Sequence, residues 1–272
     1  MPILNKDMTL CISLSARPSN LGTRFHNYLY EELGLNFIYK AFAPMNLADA
    51  IAGVRGLGIR GCAVSMPYKE DVIALIDDMD ASASAIDSVN TIVNDGGHLT
   101  GYNTDYSAVQ RLLVEHEVPS AGSVIVRGSG GMAKAVVAAL HDAGFARGTI
   151  VARNERTGRA LAALYGYDWA PEVGVLTADL IVNVTPVGMA GGAAADHAAF
   201  PASTIAAASI VFDVVASPAE TPLIVAARAL GTMVITGAEV VALQAEEQFF
   251  LYTGLRPTPD QVRRASAFSR LT

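Results

Sequence analysis

One segment restricts the fold more than any other: residues 124–140, VIVRGSGGMAKAVVAAL, run from a β-branched strand through a glycine turn into a helix-forming stretch. A largely apolar strand followed at once by a helix is the first half of a βαβ unit, and such units build parallel sheets. The glycines fall at Gly128, Gly130 and Gly131, with Ser129 and Met132 between and after them and the small Ala133 closing the pattern. Gly128 permits the tight turn, Gly130 lets a backbone come close to a pyrophosphate, and Ala133 allows close helix–strand packing. The helix then presents its positive dipole end to the phosphates. A bare glycine triplet reads as a flexible turn. With a strand before it and a helix after it, this one reads as a dinucleotide-binding turn.

The next strand, GTIVAR (148–153), ends at Ala152-Arg153-Asn154, with Arg156 and Arg159 close behind. An acidic residue at that point suits the free 2′-hydroxyl of NAD. A guanidinium suits a 2′-phosphate through charge and paired hydrogen bonds, so Arg153 favours NADP. Glu155 complicates the local charge, and the alternative is a solvated helix start.

Strand-length apolar runs alternate with helical patterns through most of the chain. Strands are expected at 10–15, 37–42 and 61–66, with helices at 25–34 (closed by Gly34) and 47–58 between them. SVNTIVND and HLTGYN flank Asp95-Gly96-Gly97 as a hairpin. A helix is expected at 106–116 and a boundary at Pro119–Gly122. The second series has strands at 123–128, 148–153, 179–185, 209–215 and 232–237, with helices at 132–143, 157–165 and 222–230. Residues 190–208 read as a loop with a short helix, and two final helices are expected to return to the first domain. The class is therefore α/β, with a mostly parallel sheet in residues 1–105 (completed by 239–272) and a Rossmann-type NADP-binding domain at 120–238.

Composition narrows the partners. Hydrophobic residues make up 51% of the 272 and charged residues 17%, a balance that supports buried cores. The net charge of −7 argues against a nucleic-acid surface. Cys11 and Cys62 sit in apolar runs and read as buried free thiols. No signal peptide or membrane span is legible, so a cytoplasmic location is expected, and the scattered histidines show no metal-ligand spacing. The oligomeric state is unreadable, which leaves a homodimer open.

Six motifs in order resemble the shikimate/quinate dehydrogenase family, and within it the shikimate dehydrogenase-like subgroup. They are Ser13 and Ser15 in ISLSARPSN, Ala63–Lys69 (AVSMPYK), Val89-Asn90-Thr91, Asn103-Thr104-Asp105, Asn183–Met189 (NVTPVGM) and Gln244–Gly254. The resemblance implies an NADP-dependent oxidoreductase that interconverts a ring hydroxyl and a ketone on shikimate or a related small anionic hydroxy acid. It implies that Lys69 and Asp105 form the catalytic pair. It also implies that Ser13 and Ser15 hold the carboxylate and that Ser65, Asn90 and Gln244 bond the ring hydroxyls. Thr185, Val214 and Gly237 would join the glycine loop, Arg153 and Asn154 at the cofactor. The chemistry agrees, since hydride removal from an alcohol requires a group that takes and returns the hydroxyl proton. As residues alone, Ser13 and Ser15 also suit turn chemistry near Pro18 and Asn20, Asp105 a helix cap, and Gln244 a polar helix face.

Two positions depart from the family pattern. Ala63 stands where the N-V-T signature opens with Asn, and Ala216 where the family places a Tyr. Both remove hydrogen-bonding groups, which points to slow turnover of shikimate itself. A methylenetetrahydrofolate dehydrogenase-like enzyme and an NADP-binding regulatory module are the competing readings. The Ser13/Ser15 and Asn103–Asp105 motifs speak against the first, and retention of Lys69 and Asp105 against the second.

Overall fold

The computed structural model describes residues 4–271. By contact density the chain forms two compact units, residues 1–104 with 242–272, and residues 105–241.

The first unit is built on β1 (Thr9–Leu14), α1 (Asn20–Glu32), β2 (Phe37–Phe42), α2 (Leu47–Gly56) and β3 (Gly61–Val64). Strand β1 pairs in parallel with both β2 and β3, as βαβ crossovers require. A 3₁₀ turn (Asp71–Leu75), β4 (Asp78–Met79) and the single-turn α3 (Ala81–Ser84) follow. Then β5 (Thr91–Asp95) and β6 (His98–Tyr102) form the antiparallel hairpin, with Asp95 opposite His98 across Gly96-Gly97. Both turn glycines have positive φ, 63° and 98°, as a two-residue hairpin demands. The sheet order is β2-β1-β3-β5-β6-β4.

Each face of this sheet carries its own core. Ile12, Leu14, Cys62 and Val64 pack with Ile51 and Val54 of α2 on one side. Cys11 and Val93 face Phe25, Leu29 and Tyr30 of α1 on the other. The same face receives Phe249 and Tyr252 of the penultimate helix and Val262 and Ala265 of the last. The two cysteines therefore lie on opposite faces, both buried and free, as expected of a pair with no bridge to make. Gly61 is required here because a Cβ would lie 2.2 Å from the Tyr252 ring.

The second unit begins within α4 (Thr104–Glu115) and continues with β7 (Ser123–Arg127), α5 (Gly131–Asp142), β8 (Arg147–Val151), α6 (Glu155–Tyr165) and β9 (Asp168–Ala170). It goes on through β10 (Leu180–Asn183), α7 (Ala202–Ala207), β11 (Ile210–Asp213), α8 (Pro222–Ala229) and β12 (Met233–Thr236). Its six strands run β12-β11-β10-β7-β8-β9, every neighbouring pair parallel. Helices α9 (Gly237–Thr253) and α10 (Pro259–Ser269) end the chain and complete the first unit's core from residue 242 onward. Among the described residues no helix is long and apolar enough to cross a membrane.

Several boundaries differ from the sequence reading. Helix α1 starts at Asn20 rather than 25, because the polar NLGTR turn adds a helical start before the apolar periodicity begins. The 3₁₀ turn, β4, α3 and β9 were not anticipated, each being five residues or fewer. The contact units part at Thr104, ahead of the Pro119–Gly122 turn, because α4 packs with the second sheet's unit.

Candidate active site

The second sheet has the strand order of dinucleotide-binding folds, in which the chain reverses direction of growth between β7 and β10. The glycine turn sits at that switch point. Gly128 has φ 129°, and a Cβ there would meet the Val184 side chain at 2.6 Å. Gly130 and Gly131 are different: a Cβ at either meets nothing within 4 Å. Protein packing does not require those two glycines, so the room they leave fits a pyrophosphate in front of α5. Ala133 is fully buried in the first turn of α5, which also holds Met132.

The second unit's other candidates follow the ends of β8, β10, β11 and β12. Ser129 shares a 2.8 Å hydrogen bond with the Thr157 hydroxyl, and the Asn154 side chain caps α6 by accepting from the Thr157 N–H. Arg153 is exposed just beyond β8, and Arg159 lies over the Trp169 ring while pairing with Glu155. Thr185 donates to Asn183 Oδ1 at 2.6 Å through its hydroxyl and at 3.0 Å through its N–H. Asn183 in turn donates to Asp213 Oδ1 at 2.9 Å. Asp213 also accepts from Val215 N–H and the Thr221 hydroxyl, so one buried carboxylate ties β10, β11 and the cap of α8. Burial raises its pKa above the usual carboxylate value, and those three donors oppose the shift. Gly237 fits tightly under the exit of β11, where a Cβ would lie 2.4 Å from the Val214 carbonyl oxygen.

In the first unit the candidates gather at one end of the sheet. Ser13 lies opposite Ala63, and Ala63 opposite Thr91, which is opposite Tyr102. The parallel β1 and β3 end here, and the antiparallel hairpin begins and ends here too. Ser15 follows β1 and donates its N–H to the Phe42 carbonyl; Ser65 follows β3 and donates to that of Leu14. The Lys69 carbonyl accepts from Val89 N–H at 2.9 Å, which sets the lysine next to the Val89-Asn90-Thr91 segment.

Asn90 has the most informative geometry. It is fully buried, and its amide oxygen accepts from Thr104 N–H (2.8 Å), the Thr91 hydroxyl (2.8 Å) and the Thr104 hydroxyl (3.2 Å). With the oxygen pinned, the orientation of the amide is fixed, yet its nitrogen has no hydrogen-bond partner. A buried donor left unsatisfied costs roughly 1–3 kcal/mol and marks a place where a ligand would be expected.

Gln248, which the sequence reading passed over, completes this arrangement. Its amide nitrogen donates to the Thr91 hydroxyl at 2.9 Å and approaches the Asn90 carbonyl at 3.4 Å. Its signal was available: it follows Gln244 by four residues, on the same face of α9. Gln244 itself is half-buried one turn earlier. Asp105 is the second residue of α4, inside the first turn rather than at the cap, where a carboxylate still suits the helix dipole. Lys69 belongs to the first contact unit and Asp105 opens the second.

Two open α/β sheets, one of them in dinucleotide-fold order with its glycine turn at the switch point, define the class as that of two-unit α/β proteins with a dinucleotide-binding fold. Known proteins narrow it. Residues 18–92 match the shikimate dehydrogenase substrate binding domain. A shikimate dehydrogenase-like protein of Haemophilus influenzae is 55% identical over 98% of this chain and 99% of its own length. A shikimate dehydrogenase (NADP(+)) of Citrifermentans bemidjiense is 37% identical over 93% and 92%. The crystal structure of shikimate 5-dehydrogenase from Thermus thermophilus, in complex with NADP(H) and shikimate, superimposes with a TM-score of 0.86. It is 30% identical, covering 96% of this chain and all of that one. The chain belongs to the shikimate dehydrogenase family.

Proposed function

We propose that this chain is an NADP-dependent oxidoreductase that interconverts a ring hydroxyl and a ketone of shikimate or a closely related cyclohexene or cyclohexane carboxylate. The observation that carries the reading is the buried, pinned and unpartnered amide nitrogen of Asn90, at the sheet end shared by Ser13, Ser15, Ser65 and the Lys69 backbone. That is a site built to bond an oxygen on a small ligand. Ser13 and Ser15 supply hydroxyl donors for its carboxylate, and Ser65, Asn90 and Gln244 bond the ring hydroxyls. Lys69 with Asp105 takes the hydroxyl proton on oxidation and returns it on reduction.

The second unit holds the cofactor. Gly128, Ser129, Gly130, Gly131, Met132 and Ala133 receive the pyrophosphate, Arg153 and Asn154 the 2′-phosphoribose, and Thr185, Val214 and Gly237 the nicotinamide side. Bound NADP supplies or accepts the hydride. The reaction belongs in the cytoplasm, with no nucleic-acid or membrane partner.

Shikimate itself is turned over slowly. Ala63 stands in the strand row between Ser13 and Thr91 and offers no hydrogen-bonding group, and Ala216 beyond β11 offers none either. The test is a dehydrogenase assay with NADP and NAD against shikimate, quinate, aminoshikimate and related ring acids. NADP-linked oxidation of at least one of them is expected. Failure of every ring acid to reduce NADP would overturn the reading.

A further inference from the structure

The cofactor assignment above gives no role to Arg127, beside the glycine turn. Arg127 is the last residue of β7, directly before Gly128, and lies opposite Val151 of β8. Arg153 follows Val151 by two residues, just beyond the end of β8, and lies near enough for its charge to act on Arg127. Arg127 is only half-buried, and one of its Nη atoms donates to the Ala199 carbonyl in the segment between β10 and α7.

Among the described residues that carbonyl is its one acceptor, and no carboxylate pairs with Arg127 or with Arg153. Every other position on β7 is apolar or, in Ser123, a hydroxyl tied to Asp179. Two guanidiniums close enough to feel each other, one of them partly removed from water and neither paired with a carboxylate, repel each other. Burial and the Arg153 charge together push the Arg127 pKa downward. An anion between them offsets that repulsion.

We propose that Arg127 forms the second half of the 2′-phosphate seat, with its guanidinium anchored by Ala199 and facing the phosphate opposite Arg153. This rests on the reading of the second unit as the NADP site. It adds that the choice of NADP over NAD depends on a strand residue as well as on the residue after β8. A hydrogen bond to a charged group is among the stronger ones, and its loss is expected to cost roughly tenfold or more in affinity.

The experiment uses the full chain and two small probes, adenosine 2′,5′-bisphosphate and 5′-AMP, titrated by calorimetry. For the wild type the bisphosphate should bind more tightly. Arg127→Leu should weaken the bisphosphate by roughly tenfold or more and leave 5′-AMP within about twofold. Arg127→Lys, which keeps the charge and the anchor to Ala199 within reach, should recover part of the difference and guards against a folding defect. An equal loss for both probes would place Arg127 at the adenine or in the fold instead. An unchanged bisphosphate affinity would remove it from the site. A wild type that binds 5′-AMP as well as the bisphosphate would overturn the NADP assignment itself.

Discussion

At the scale of single residues, the proposed chemistry concentrates on Lys69 and on the positions that shape the space near it. Lys69→Ala removes the group that exchanges the hydroxyl proton, so kcat should fall by at least ~10²-fold, the usual cost of losing a general acid–base group. NADP affinity, set in the other contact unit, should hardly change. Steady-state kinetics beside a cofactor titration checks both halves, and near wild-type turnover would remove Lys69 from the reaction. Ala63 is the second test position. An amide restored there would sit between Ser13 and Thr91 in the row of paired strands. A regained hydrogen bond contributes about 0.5–1.5 kcal/mol, so Ala63→Asn should raise kcat/KM for shikimate by roughly two- to tenfold. An unchanged or lower kcat/KM would show that the missing amide does not limit shikimate turnover.

At the scale of elements, the glycine turn couples fold to site most tightly. Gly128→Ala places a methyl against Val184 in a backbone conformation that L-residues seldom adopt, with φ 129°. Strain of this kind costs on the order of 1–3 kcal/mol. The variant should melt earlier and bind NADP more weakly, which a thermal scan with and without cofactor would read directly. A melting curve and a cofactor affinity both equal to wild type would mean the turn relaxes freely. The strand–turn–helix was legible because each part is long and periodic: LCISLS, FIYKAF and SVIVRG became β1, β2 and β7 within a residue or two. The 3₁₀ turn, β4, α3 and β9 were not legible, because pieces of two to five residues owe their conformation to neighbours rather than to their own pattern. The same holds for side chains. The motif pointed to Asn90, but the fixing of its amide by Thr91 and Thr104, with Gln248 holding the Thr91 hydroxyl, depends on three segments meeting, and spacing alone does not show that. Arg127 read as one more strand residue until the register with Val151 brought it near Arg153.

At the scale of the whole molecule, stability is tied to pH through a residue with no part in the proposed chemistry. His26 on α1 is fully buried, stacked 4.4 Å from the Tyr39 ring and enclosed by Phe25, Tyr30, Phe249 and Tyr252. Burial dominates and pushes its pKa down from an ordinary 6.5 to about 3. The nearby Gln248 amide slightly favours its proton, but neither ring nitrogen reaches hydrogen-bond geometry with any partner. The folded state therefore refuses a proton that the unfolded chain accepts between those values. The stability contribution is fully present above pH 6.5, declines as the pH falls, and is exhausted below about 3. At pH 5, about 1.5 units below the unfolded value, the loss should reach about 2 kcal/mol at ~1.4 kcal/mol per unit. Urea unfolding at pH 7 and pH 5 measures it, with His26→Phe as the comparison, since a phenyl ring suits the same aromatic stack and cannot titrate. The difference between the two pH values should shrink by about 2 kcal/mol in the variant, even if the variant is less stable at both. If wild type and His26→Phe lose the same stability on acidification, the acid sensitivity originates elsewhere, and the buried imidazole must have found a partner for its proton.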